Sequence, residues 1–193
     1  KEEEFENKAN KIKEELQKRL WNKDLNFFTV LPKKYADTTK ALDVRELIGY
    51  VPWYFNLPDD KEEFSLAWKK IKDSTGFAAP LGLTVTEQSH PYFKISYEGH
   101  ECQWNGPSWP FATTQTLKAM ANFLTSYSNN KTVSKNDYYN FNDASKNWIN
   151  NQNNFFEKDN IRFLKTHNTL NNFQGQKFTS KSQTLGAIYI IRD

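Results

Sequence analysis

The chain has 193 residues, of which 37% are hydrophobic and 16% aromatic, and its 26 basic and 23 acidic residues leave a net charge of +3. That is enough for one domain with a core in which Trp, Tyr and Phe carry much of the packing. No basic run with interleaved aromatics points to nucleic acid, and no apolar run is long enough to span a membrane. The single cysteine, Cys102, excludes an internal disulfide and a cysteine zinc cluster, and His90, His100 and His167 are too scattered to suggest a metal site. No cofactor is expected. The sequence opens in a charged helical pattern with neither an initiator Met nor a signal peptide. The expectation is a piece of a longer protein whose address would lie upstream.

Residues 1–20 carry Phe5, Ala9, Ile12, Leu16 and Leu20 at three- and four-residue spacings, which predicts an amphipathic helix. Glu4–Lys8, Glu14–Lys18 and Glu15–Arg19 support it on the other faces. Leu31-Pro32 marks a break, and 33–43 reads as a polar loop. A short helix is expected from Val44 to Tyr50 with Leu47 and Ile48 inward. The stretch Val51-Pro52-Trp53-Tyr54-Phe55-Asn56-Leu57-Pro58 is aromatic and bounded by prolines. It either lines a cavity or packs beneath neighbouring loops. Asp59 and Asp60 are expected to cap a helix that buries Phe64, Ala67, Trp68 and Ile71 and ends at Gly76. Residues 77–91 form a long irregular segment carrying Glu87, Gln88 and His90, polar groups that either bind a ligand or tie the loop to itself. Phe93 to Tyr97 alternates like a short strand, and Glu98-Gly99 turns the chain.

The chain is organised around Glu101-Cys102-Gln103-Trp104-Asn105-Gly106-Pro107-Ser108-Trp109-Pro110-Phe111. An Asn-Gly-Pro turn between two tryptophans feeds a helix at about 110–127 with Phe111, Leu117, Met120, Ala121 and Leu124 roughly on one face. Trp104 and Trp109 offer flat apolar surfaces, and Gln103 and Asn105 offer donors and acceptors. A sugar ring, with C–H faces and a hydroxyl rim, suits that combination; so does an ordinary core. Ser134 and Asp137 mark the start of a further helix burying Tyr138, Phe141, Ala144, Trp148 and Ile149. In the divergent 150–193 segment, eight of the 23 residues from Asn150 to Asn172 are Asn, a composition that favours turns, and Gly186 to Arg192 is a plausible closing strand.

At Trp104, Gly106, Pro107 and Trp109 the sequence resembles a Trp-x-Gly-Pro-x-Trp motif of glycoside hydrolases that include mannosylglycerate hydrolase and the processing α-glucosidases. Gly49 to Pro58, Gly76-Phe77 and Gly82 to Glu87 also look like bacterial members, so the likeness covers roughly 13–128. The resemblance implies a mainly α fold with a few short strands, its helical hairpins forming part of a six-hairpin (α/α)6 toroid. A full toroid is about twice this length, so the chain would be one domain's incomplete C-terminal part, paired with a missing N-terminal part. It also implies inverting hydrolysis of an α-glucoside or α-mannoside, with one carboxylic acid protonating the leaving oxygen and a second carboxylate, about 6.5–9.5 Å away, activating water. The acid would precede Lys1; the base would be Glu157, although the Pro and Gly that usually follow are absent. The sugar contacts would come from Trp104, Trp109 and Trp53 by stacking and from Gln103, Asn105, Glu87 and His90 by hydrogen bonding. A periplasmic or secreted location is implied over a cytoplasmic one. Two other readings remain open: a non-catalytic carbohydrate-binding module on the same aromatics, and a helical interaction domain whose aromatics are all core.

Overall fold

The computed structural model describes residues 2–32, 42–79, 82–94, 105–106 and 108–146. These form a mainly α fold with short strands. Helix α1 (Glu2–Arg19) is followed by a two-stranded hairpin, β1 (Trp21–Asn22) and β2 (Phe27–Phe28). A 3-10 turn (Leu47–Tyr50) leads into α2 (Val51–Tyr54), and α3 (Glu62–Ser65) runs on into a 3-10 helix (Leu66–Ile71). A second antiparallel hairpin pairs β3 (Ala78–Ala79) with β4 (Gly82–Leu83) inside the segment expected to be irregular. Helix α4 (Pro110–Ser126) and helix α5 (135–146) complete the described part.

The core is aromatic, as the composition demands. Trp68 stacks on Phe123 of α4 at 4.9 Å and 14°, while Tyr50 and Trp53 close on Trp68 at 4.5 and 5.4 Å. Phe28 stacks on Phe64 at 5.6 Å, and the edge of Trp21 meets both rings at 4.9 Å. Offset and edge-on pairs of this kind add about 0.5–1.5 kcal/mol each beyond area burial. Phe64, Ala67, Trp68 and Ile71 form the expected buried stripe. Gly49 is demanded by packing: a Cβ there would lie 2.3 Å from both the Phe27 ring and the Phe28 carbonyl.

Several elements depart from the sequence expectations. Ile48 faces solvent while Leu47 is buried, because a 3-10 turn places consecutive side chains about 120° apart. Phe111 likewise lies outside; the buried face of α4 runs through Ala112, Thr113, Thr116, Leu117, Met120 and Phe123. Asp59 and Asp60 do not cap α3, whose N-cap position is Lys61 with no side-chain cap. Asp59 instead pairs with Lys13 of α1 at 2.5 Å, and Asp60 accepts backbone N–H groups from Ser128 (2.8 Å) and Asn129 (3.0 Å) after α4. Helix α1 forms as predicted, yet none of its residues is fully buried. Leu16 and Leu20 touch the core, whereas Phe5 and Ile12 are 65% and 57% exposed. Helix α5 begins at the expected reciprocal cap, Asp137 Oδ2 accepting from the Ser134 backbone N–H and hydroxyl at 2.8 Å each. Phe93 and Lys94 are not strand, and 95–97 lie outside the described residues, as do Trp148, Ile149 and the Asn-rich segment.

Candidate functional site

Three extended segments build the site. Leu47 donates its backbone N–H to the Val85 carbonyl (2.9 Å), Glu87 donates to the Arg45 carbonyl (3.0 Å), and Glu46 bridges Thr86. Val85 in turn donates to the Gly106 carbonyl (3.2 Å), and Lys94 donates to the Asn105 carbonyl (3.1 Å). A Cβ on Gly106 would fall 1.7 Å from the Lys94 carbonyl oxygen. The central glycine therefore exists so that two backbones can meet there.

This scaffold gathers His90, Tyr92 and Asn105. The Asn105 Nδ2 donates to the Tyr92 carbonyl (3.1 Å), and the Tyr92 backbone N–H donates to His90 Nδ1 (3.1 Å). That bond fixes the imidazole orientation and sets Nε2 3.9 Å from the Asp43 carboxylate. The His90 and Tyr92 rings meet edge-on at 4.9 Å, and Tyr92 is 61% exposed. The Asn105 Oδ1 is buried and has no hydrogen-bond partner among the described residues. One oriented imidazole, one amide and one open aromatic face thus share a patch. Tyr92 was missed in the sequence; its place just after His90-Pro91, in a turn, was the available signal.

Other expected site residues sit differently. The Glu87 carboxylate is buried and accepts the Arg45 backbone N–H (3.0 Å) and guanidinium Nη1 (2.6 Å). Arg45 also donates from Nε and Nη2 to the Leu25 carbonyl, at 3.0 and 2.7 Å. Glu87 is therefore a strut that locks 45 to 87 rather than a group facing a ligand. Trp53 is completely buried between Tyr50, Phe28, Trp68 and Phe123, and Trp109 is 2% exposed at the start of α4. Trp53 therefore packs beneath the neighbouring loops, the other placement open to it in the sequence, and offers no face to a sugar. Gln103, Trp104 and Glu157 lie outside the described residues.

Glu46 borders the patch. Its carboxyl is pushed up by burial, an effect partly opposed by the nearby His90. Among the described residues no group of three or more His, Cys, Asp or Glu could hold a metal ion, and no helix is long and apolar enough to cross a membrane.

Comparison with known proteins settles the family. The model of the mannosylglycerate hydrolase MGH1-like glycoside hydrolase domain matches residues 1–160. The chain belongs to this family. Among solved structures, a protein named "Sialidase" is similar over 73% of this chain at 40% identity, with a TM-score of 0.67. This chain covers 12% of that one. No curated protein matches. Residues 1–160 of this glycoside hydrolase domain thus include the His90–Tyr92–Asn105 patch, the Arg45–Glu87 strut and the aromatic core.

Proposed function

We propose that this chain is the C-terminal part of a larger (α/α)6-toroid catalytic domain and forms one wall of its sugar-binding cleft. The observation that carries the reading is the His90–Tyr92–Asn105 patch, built on the family's Gly106 turn. Tyr92 takes the stacking role, its exposed ring lying against the C–H face of a pyranose. The Asn105 amide nitrogen and His90 Nε2 contact hydroxyls, and Gln103 and Trp104 are further sugar contacts by the family resemblance.

The intact domain hydrolyses an α-glucoside or α-mannoside with inversion. A carboxylic acid from sequence outside 1–193 protonates the glycosidic oxygen, and Glu157, which follows Phe155-Phe156, takes a proton from the attacking water. The bond from the anomeric carbon to the leaving oxygen breaks as the bond to water forms. This chain alone is inactive, because the two proton transfers need two carboxyl groups.

The test is made on the parent protein. NMR of the first product should show the inverted anomer. Glu157→Gln should lower kcat by at least about 100-fold, the lower end of general-base contributions. Retention of configuration, or wild-type turnover in Glu157→Gln, would remove this mechanism.

A further inference from the structure

Between the Leu47–Tyr50 turn and the first turns of α4 lies a cavity of about 390 Å³. Its lining is almost wholly apolar, from Val30, Ile48, Val51, Val85 and Phe111, with Glu46 and Gln115 as its polar side chains. A few placed polar groups in an apolar hollow of a few hundred Å³ is the pattern of a small-molecule pocket. The Phe111 ring at the rim is 51% exposed, although it belongs to a helix whose next residues are buried. Backbone pairing of residues 45–47 to 85–87 fixes where the Glu46 carboxyl stands.

We infer that this cavity is an aglycone pocket: it takes the apolar aryl or alkyl group of a glycoside whose sugar lies on the His90–Tyr92–Asn105 patch, with Glu46 and Gln115 contacting hydroxyls at its mouth. The proposal rests on the sugar-wall reading for its partner group. Glu46 joins the two sites, since it borders the cavity and interacts electrostatically with His90. Burial disfavours the charge of the Glu46 carboxyl, which makes it a ready partner for a ligand O–H. The apolar walls exclude a bare polyol but reward an aryl ring.

The experiment titrates the isotopically labelled 193-residue chain with phenyl α-glucoside, methyl α-glucoside and benzyl alcohol, followed by amide chemical shifts. The pocket predicts that the phenyl glycoside binds about ten-fold tighter than the methyl glycoside and shifts Ile48, Phe111, Ala112 and Gln115. Phe111→Ala should erase that advantage and leave methyl glycoside binding unchanged. Phe111 is exposed, so its variant keeps the fold, as its amide spectrum would confirm. Equal affinity for the two glycosides, with no shifts at the cavity, overturns the pocket and leaves the sugar wall standing. Benzyl alcohol shifting the cavity residues while neither glycoside binds supports the pocket and overturns the sugar wall. Silence from all three probes overturns both.

Discussion

At the scale of single residues, the Arg45–Glu87 pair shows how chemistry and position divide the work. Each charge is nearly enclosed, with side-chain exposures of 14% and 4%, and the guanidinium is further satisfied by the Leu25 carbonyl. Removing one partner leaves the other buried and unpaired. Glu87→Ala is expected to cost about 3–5 kcal/mol, checked by denaturant unfolding, with Arg45→Ala costing a similar amount. The pair being a unit, the double variant should cost clearly less than the sum of the two. Gly106→Ala forces a Cβ against the Lys94 carbonyl, so it should disrupt the Asn105–Tyr92 contact. Loss of amide shifts specific to 90–94 and 105–106, with the core resonances retained, would confirm this. Residue type was legible in the sequence; residue burial was not. Glu87 looked like a ligand group because an acid in a long loop usually meets solvent, and only the 42-residue return from Arg45 encloses it. Trp53 looked like a wall because indoles suit sugars, yet the α2 turn aims it at Trp68 and Phe123.

Elements were more legible than residues. The periodicities of α1 and α4 and the Ser134–Asp137 start of α5 specify those helices in the sequence, because helix spacing and caps are local signals. The two-residue strands and the real task of Asp60 were hidden, because both depend on partners far along the chain. Asp60 holds the turn after α4 through Ser128 and Asn129, and these hydrogen bonds lower its pKa from the usual 3.8 to about 2. A carboxylate whose pKa is depressed in the folded chain stabilises it fully above the unfolded value. That contribution fades as pH falls below about 4 and is gone below about 2. Thermal melts of wild type and Asp60→Asn from pH 6 to 2 should therefore differ most near neutrality and converge near pH 2. A difference that persists unchanged at pH 2 would mean the carboxylate is not what ties the turn.

For the whole molecule, the telling feature is what stays uncovered. Phe5 and Ile12 on α1, and Phe55 at the end of α2, are exposed apolar side chains outside the aromatic core. A hollow of about 440 Å³, lined by Leu16, Leu20, Val30, Leu31, Pro52 and Leu57, lies between α1 and α2. Apolar surface of this kind fits a chain that spans a small part of a longer relative. Phe5→Ser with Ile12→Ser should change the melting of this chain by no more than about 0.5 kcal/mol per site. The same pair should destabilise the parent protein by several times that amount, as the resulting shift in its unfolding midpoint would show. The three- and four-residue spacing of α1 disclosed an apolar face, of which Leu16 meets the core while Phe5 and Ile12 stay exposed.

The most direct measurement is the titration of the 193-residue chain with methyl α-glucoside and methyl α-mannoside, wild type beside Tyr92→Ala, read by amide shifts. The sugar-wall account predicts saturable shifts at His90, Tyr92 and Asn105 for at least one sugar, abolished in Tyr92→Ala while the core resonances stay in place. A folded wild-type chain that shows no shift in that patch with either sugar would contradict it.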